Sequence, residues 1–151
     1  MPLSSPKEQS IASQTADCST TVLFVDDNPD DLASWSAGLR DCGSSYVILQ
    51  AADGLAAVDL CRYQQVDCVV LDLAMPHQSC LDILLKLVPD RRHPKIAVVV
   101  LTVLRNPSIL KMARDYGAQA CLNKKSTSVR ALDEAIKIAM VQVSSMNECG
   151  L

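Results

Sequence analysis

Polar side chains that could bind a cation and a phosphoryl group stand at or just beyond the ends of four apolar runs of this chain. In chain order they are Asp26, Asp27, Asp72, Thr102 and Lys124. Ligands of an open parallel α/β sheet bind beyond the carboxyl ends of its strands. If the apolar runs are parallel strands, these five side chains meet at one edge of the sheet. We therefore expect an acidic pocket there that also holds one hydroxyl and one ammonium group.

The residue types in this pocket fit phosphoryl transfer assisted by a divalent cation. Clustered carboxylates repel one another, and a hard cation such as Mg²⁺ relieves that repulsion by accepting oxygen ligands. Asp27 and Asp72 would bind Mg²⁺ directly, and Asp26 would bind it through water. A carboxylate is also a nucleophile that can form an aspartyl-phosphate. Lys124 would neutralise phosphoryl charge, and the Thr102 hydroxyl would bind a phosphoryl oxygen.

Five β-strand and α-helix units are predicted to position these groups. The first, third and fourth strands are continuous apolar runs, which is typical of strands that are covered by helices on both faces. The predicted fold is therefore a doubly wound, three-layer α/β sandwich with a parallel sheet. The strands are predicted over about residues 21–26, 46–51, 66–71, 95–101 and 119–122, and the helix caps are Asn28, Asp53, Ser79, Asn106 and either Ser126 or Thr127.

The composition of the chain argues against nucleic-acid binding, membrane association and zinc binding. The formal net charge is −3 and aromatic residues make up 3% of the chain, so it offers neither a basic field nor stacking platforms for nucleic acid. Neither a run of 18 apolar residues nor a signal-peptide pattern occurs, so we expect no membrane association. The seven cysteines are an odd number without a C-x-x-C pair, which favours buried thiols in a reducing cytoplasm over zinc or disulfides.

The predicted domain organisation is a flexible tail over residues 1–20, one globular domain over 21–145 and a short tail over 146–151. The last helix is expected to end near Ser144. These boundaries leave no room for an output domain, so we expect a stand-alone domain.

Five ordered motifs resemble the receiver domains of two-component response regulators, over about residues 21–145. The resemblance implies a flavodoxin-like five-stranded parallel sheet of strand order 2-1-3-4-5 with five helices. The motifs are Val25-Asp26-Asp27-Asn28-Pro29, Leu71-Asp72-Leu73-Ala74-Met75-Pro76, Val99-Val100-Leu101-Thr102, Gly117-Ala118 and Leu122-Asn123-Lys124.

The resemblance also implies a role for each site residue. Asp72 is the phospho-acceptor, Asp26 and Asp27 are the acidic metal pair, and the backbone carbonyl of Ala74 completes a Mg²⁺ site. Lys124 binds the phosphate. The Thr102 hydroxyl is the switch. The phosphoryl donor is a histidine kinase or a histidine phosphotransfer protein. A downstream protein would bind the face made by helix 4, strand 5 and helix 5. Formation of a homodimer is a further possibility.

Four residues depart from the pattern of the family. Cys121 occupies the position of the usual aromatic switch residue, and Val103 follows Thr102 where the family prefers a small residue. Cys80 replaces the usual Gly before helix 3, and Lys125 replaces the usual Pro after the lysine. These departures predict altered kinetics or output and leave phosphorylation itself in place.

Alternative interpretations stay open. The chain could be a receiver-like module that binds a partner without phosphorylation, or a Mg²⁺-dependent phosphohydrolase, although Ala74 stands where such enzymes need a second Asp. Lys125 competes with Lys124 for the phosphate-binding role. The remaining alternatives are structural: a solvated turn at Asp26-Asp27, caps at Asp72 and Thr102, Trp35 as a core residue, and solvated His77 and His93.

Overall fold

The computed structural model describes residues 19–76 and 79–149, with the backbone alone for Cys149. His77 and residues 1–18, which make up most of the predicted N-terminal tail, lie outside this part of the chain. Strands and helices alternate along it. The strands are β1 (Thr20–Val25), β2 (Tyr46–Ala51), β3 (Cys68–Leu71), β4 (Ala97–Thr102) and β5 (Ala120–Asn123), and the helices are α1 (Pro29–Asp41), α2 (Gly54–Tyr63), α3 (Cys80–Leu87), α4 (Pro107–Asp115) and α5 (Val129–Cys149).

All five strands pair in parallel, in the order β2-β1-β3-β4-β5, which confirms the predicted topology. The register aligns the strand ends. Val25 pairs with Ala51 on one side and with Leu71 on the other, and Leu71 pairs with Val100. The loops that follow β1 and β3 therefore leave the sheet side by side.

Each face of the sheet carries its own apolar core, because successive side chains of a strand point to opposite faces. Leu23, Val69 and Val98 pack with α2, α3 and α4 on one face. On the other face, Val22 and Val70 pack with α1 and α5. This arrangement is the predicted three-layer sandwich. The half-buried Trp35 packs against the second core, as predicted for a core residue.

The last helix differs from its prediction at both ends. Ser128, rather than Ser126 or Thr127, provides its cap: the Ser128 hydroxyl accepts from the N–H of Ala131 (3.0 Å). The helix then continues to Cys149, five residues beyond the predicted end at Ser144 and through most of the predicted C-terminal tail. Asn147 Nδ2 donates to the carbonyl of Pro94 (2.8 Å), and this contact ties the extra turn to the body of the domain.

Candidate functional site

Backbone hydrogen bonds between strands hold the site residues at one edge of the sheet. The N–H of Asp26 donates to the last carbonyl of β2 (3.1 Å), and the N–H of Asp72 donates to the carbonyl of Val25 (3.0 Å). The N–H of Lys124 donates to the carbonyl of Thr102 (3.0 Å). The sheet ladder therefore continues one residue past the strands and fixes the backbone of each group.

The ammonium group of Lys124 lies among three carboxylates. Its Nζ is 2.5 Å from Asp26 Oδ2, 2.7 Å from Asp31 Oδ2 and 2.8 Å from Asp72 Oδ2. The side chains of Lys124 and Asp26 are each 9% exposed and that of Asp72 is 6% exposed, whereas Asp31 is 37% exposed. The structure thus brings together residues that are 98, 93 and 52 positions apart in the chain.

Asp31 is the member of this cluster that the sequence analysis missed. It lies in the first turn of α1, where an acidic residue is already expected because it interacts favourably with the helix dipole. Asn28 Oδ1 accepts from the N–H groups of Asp30 (2.9 Å) and Asp31 (3.2 Å), and this cap fixes the turn. The sequence does not single out Asp31, since its neighbour Asp30 has the same charge in the same turn.

The remaining carboxylate oxygens of the two buried Asp residues are held by local backbone groups. Asp26 Oδ1 accepts from the N–H of Asn28 (3.0 Å), and Asp72 Oδ1 accepts from the N–H of Ala74 (2.9 Å). Both side chains are therefore oriented before any ligand arrives. This preorganisation lowers the cost of binding or reaction at the carboxylates.

Burial and mutual charge shift the ionisation of the cluster. Burial raises the pKa of Asp26, and repulsion by Asp72 adds to that rise, while Lys124 and the N–H of Asn28 oppose it. Burial alone would lower the pKa of Lys124, but its bonds to Asp26, Asp31 and Asp72 outweigh burial and raise it well above its usual value. Lys124 is therefore a permanently charged group.

Four further residues named in the sequence analysis lie near this cluster. Thr102 is fully buried, and its Oγ1 accepts from the N–H of Leu104 (3.3 Å), so it also acts as the predicted strand-end cap. Asp27 is exposed beside the buried Asp26, and Val103 is 45% exposed beside Thr102. Lys125 is exposed, whereas Lys124 lies within the acidic cluster.

The carboxylate oxygens of this site are suitable ligands for a hard cation. Two buried carboxylates and an exposed third supply the oxygen ligands that Mg²⁺ prefers, at a place where carboxylate charges repel one another. Within residues 19–76 and 79–149, however, no three His, Cys, Asp or Glu side chains already surround a common metal position. The Lys124 ammonium group lies between the two buried carboxylates.

Two of the unusual cysteines contact the site or its surroundings. The buried Cys80 Sγ lies 3.6 Å from the backbone carbonyl of Asp72 and 3.3 Å from that of Leu73, so this departure touches the backbone of Asp72. Cys121 is half-buried and lines a cavity of about 290 Å³ with Leu104 and Leu110. Burial raises the pKa of both thiols, which keeps them protonated at neutral pH.

Comparison with known proteins places the chain in one protein family. The family model described as "Response regulator receiver domain" matches residues 22–137. The transcriptional regulatory protein PdtaR of Mycobacterium tuberculosis is 33% identical over 119 residues, which are 79% of this chain and 56% of that protein. A probable cyclic di-GMP phosphodiesterase of Vibrio cholerae is 32% identical over 98 residues, which are 65% of this chain and 22% of that protein.

The chain thus spans between about a fifth and just over half of the length of these two relatives. Among solved structures, the chemotaxis protein CheY4 of Vibrio cholerae superposes with a TM-score of 0.71 at 22% identity, over 81% of this chain and 99% of that one. This likeness agrees with the observed fold. None of the helices among the described residues has the length and apolar content needed to span a membrane.

Proposed function

Since the chain belongs to the family of response regulator receiver domains, which are signalling domains, we propose that it accepts a phosphoryl group on Asp72. The observation that carries the proposal is the Lys124 ammonium, which lies 2.8 Å from Asp72 Oδ2 and 2.5 Å from Asp26 Oδ2 at the carboxyl edge of the sheet. A nucleophilic carboxylate beside a fixed cation is the arrangement that phosphoryl transfer to aspartate needs.

The proposed donor is the phosphohistidine of a histidine kinase or of a histidine phosphotransfer protein. One Asp72 carboxylate oxygen forms a bond to phosphorus while the P–N bond of the donor breaks. The imidazole leaves with the electron pair of that bond and is protonated. The product is an aspartyl-phosphate, and attack of water on its phosphorus would regenerate the Asp72 carboxylate and inorganic phosphate.

Each site residue has a proposed part in this step. Asp26, Asp27, Asp72 and the Ala74 carbonyl are the proposed ligands of Mg²⁺, which when bound would neutralise charge on the phosphoryl oxygens. Lys124 pairs with a phosphoryl oxygen, and this is supported by its fixed charge beside Asp72. The N–H of Ala74 keeps the Asp72 carboxylate oriented for attack.

The proposed output is a change of protein contacts at the face formed by α4, β5 and α5. Thr102 links the site to this face, because its hydroxyl holds the N–H of Leu104 and would release it on turning to the phosphoryl group. Leu104 lines the cavity beside Cys121, which gives the β4–α4 loop room to move. A location in the cytoplasm is part of the proposal, and the free thiols of Cys42, Cys61, Cys68, Cys80 and Cys121 support a reducing compartment.

The test is incubation of the purified chain with Mg²⁺ and acetyl phosphate, followed by intact-mass measurement and peptide mapping. The wild-type chain should gain one phosphate on Asp72, and Asp72→Asn should gain none. Asp59→Asn serves as the matched control, because Asp59 is an exposed carboxylate on α2, remote from the site. EDTA should abolish the gain. A wild-type chain that stays unmodified, or an equal gain in Asp72→Asn, would overturn the proposal.

A second function is favoured by the cavity at Cys121. A receiver-like module that binds its partner without phosphorylation needs no aromatic switch residue, and here a thiol and open space occupy that position. Once a partner has been isolated, its affinity can be measured in three cases: for the wild-type chain, for the wild-type chain with acetyl phosphate, and for Asp72→Asn. These measurements separate the two functions. Equal affinity in all three cases supports the second one, and a difference supports the first.

A further inference from the structure

Every N–H donor of the Lys124 ammonium is occupied in this structure. An ammonium group has three donors, and Lys124 Nζ has one carboxylate oxygen at 2.5 Å, one at 2.7 Å and one at 2.8 Å. A phosphoryl oxygen that pairs with Lys124 must therefore displace one of the three carboxylates. The three partners are not equivalent, so the structure indicates which of them leaves.

Asp31 is the partner that returns to water most easily. Its side chain is 37% exposed, whereas Asp26 and Asp72 are 9% and 6% exposed. Releasing a buried carboxylate from its cation leaves an uncompensated charge at high cost, and releasing a partly exposed one does not. Asp26 and Asp72 are also held by the N–H groups of Asn28 and Ala74. Asp31 makes no comparable second bond from its carboxylate to any of the residues that the structure describes.

We propose that Asp31 is a positioning residue that occupies one donor of Lys124 until an incoming phosphoryl oxygen displaces it, and thereby slows phosphorylation of Asp72. This inference rests on the proposed function. The Asp31 carboxylate slows phosphorylation in two ways. It competes for Lys124, and its negative charge repels the anionic donor at the mouth of the site.

The experiment compares initial rates of phosphorylation by acetyl phosphate at saturating Mg²⁺ in four chains: wild type, Asp31→Asn, Asp31→Glu and Asp30→Asn. Asp31→Asn removes the charge but keeps the shape, so its rate should rise about threefold, the size expected for a partly exposed ion pair. Asp31→Glu keeps the charge and should stay close to wild type. A gain in rate is informative because a variant that merely loosens the fold would lose rate.

Asp30→Asn is the matched control. Asp30 lies in the same helical turn, carries the same charge and is exposed, and its side chain makes no hydrogen bond or ion pair within the described part of the chain. It therefore reports the effect of removing one negative charge near the site without touching Lys124. The phosphorylation rate of Asp30→Asn should be close to that of wild type and should change less than that of Asp31→Asn, because solvent screens the charge of Asp30.

A second measurement reads the Lys124 contact without phosphorylation. Brief treatment with acetic anhydride, followed by mass spectrometry, gives the labelling of Lys124 relative to its exposed neighbour Lys125. Loss of one of its three carboxylate contacts leaves one side of the Lys124 amine uncovered, so the reagent reaches it more easily. The Lys124-to-Lys125 ratio should rise in Asp31→Asn and stay at its wild-type value in Asp30→Asn and Asp31→Glu.

The two measurements separate this inference from the proposed function. A wild-type chain that takes up no phosphate overturns the proposed function, and it removes the kinetic role of Asp31 as well, whatever the labelling result. If the wild-type chain is phosphorylated, a rate in Asp31→Asn equal to or below that of Asp30→Asn overturns the inference alone. So does an unchanged labelling ratio in Asp31→Asn. A raised rate together with a raised ratio supports it.

Discussion

At the scale of single residues, a third buried carboxylate, Asp133, is held by hydrogen bonds as Asp26 and Asp72 are, but it lies outside the candidate site. Asp133 on α5 accepts hydrogen bonds from the hydroxyls of Tyr46 (2.5 Å) and Ser44 (3.1 Å) and pairs with Lys137 (3.1 Å). Burial alone would raise the pKa of Asp133, but the bonds from Tyr46, Lys137 and Ser44 outweigh burial and lower it. This cluster ties the edge strand β2 to α5, so it stabilises the fold.

We expect Tyr46→Phe to lower the free energy of unfolding by about 1.5–3 kcal/mol, the usual contribution of a hydrogen bond to a charged group. Urea unfolding at neutral pH measures this loss. Tyr63→Phe is the matched control, because Tyr63 is 84% exposed and the same hydroxyl is removed without effect on the core. Equal stability of Tyr46→Phe and Tyr63→Phe would contradict the assigned contact.

The same cluster predicts a pH dependence. A carboxylate whose pKa is lower in the folded state contributes stability above its unfolded pKa, about 3.9 for Asp, and loses it as the pH falls through the folded value. The stability difference between wild type and Tyr46→Phe should therefore be largest near neutral pH and shrink below about pH 4. Unfolding curves over that range measure it. A difference that grows in acid would have the wrong sign for Asp133.

The site residues show how far sequence reasoning reaches at this scale. Asp26, Asp72 and Lys124 could be predicted to meet, because each follows an apolar run and the ends of parallel strands share one edge. Asp31 could not, because an acidic residue in the first turn of a helix is already accounted for by the helix dipole. Its contact with Lys124 depends on where α1 packs, which no local pattern encodes.

At the scale of the elements, α4 is followed by Gly117, where both the backbone conformation and the packing disfavour a side chain. Gly117 has a φ of +119°, and a Cβ at this position would lie 2.9 Å from Cγ1 of the buried Val88. Gly43, which follows α1, has a φ of +93°, and a Cβ added there would meet nothing within 4 Å. The two glycines therefore separate backbone strain from packing.

We expect Gly43→Ala to lower the free energy of unfolding by about 1–2 kcal/mol, the cost of a left-handed conformation for an L-residue. Gly117→Ala should cost about 1–3 kcal/mol more, because the added methyl group also overpacks the core against Val88. Urea denaturation of the two variants measures the difference. If Gly117→Ala is no less stable than Gly43→Ala, the close approach of Val88 is not a constraint.

The last helix marks the limit of prediction for elements. Ser126, Thr127 and Ser128 are three successive hydroxyl residues, and each has the side chain of an N-cap. The sequence does not distinguish them, since the choice depends on how the chain leaves β5. The true cap is Ser128, which accepts from Ala131. The extension to Cys149 likewise depends on a tertiary contact, from Asn147 to the carbonyl of Pro94.

At the scale of the whole molecule, one ammonium group joins distant parts of the domain. Lys124 follows β5 and bonds to groups that follow β1 and β3 and to the first turn of α1. A ligand that enters this cluster changes contacts of four elements together. The stability of the entire domain should therefore depend on what occupies the acidic pocket.

We expect Mg²⁺ to raise the thermal midpoint of unfolding. A ligand that binds only the folded state adds about 2.7 kcal/mol of stability at one hundred times its dissociation constant. Calorimetry or circular dichroism across a Mg²⁺ series, with EDTA as the reference, measures the shift. Asp27→Asn should reduce the shift and Asp30→Asn should keep it. An unchanged midpoint across the series would contradict the proposed metal site.

The position of Trp35 has a practical consequence. This side chain is the only indole of the chain, and together with Asp26, Asp31 and Asp72 it lines a small cavity next to the acidic cluster. Its fluorescence emission therefore originates beside the carboxylates, and the protein contains its own optical probe. Quenching or spectral shifts of that emission can follow ion entry and phosphorylation in real time, without an extrinsic dye.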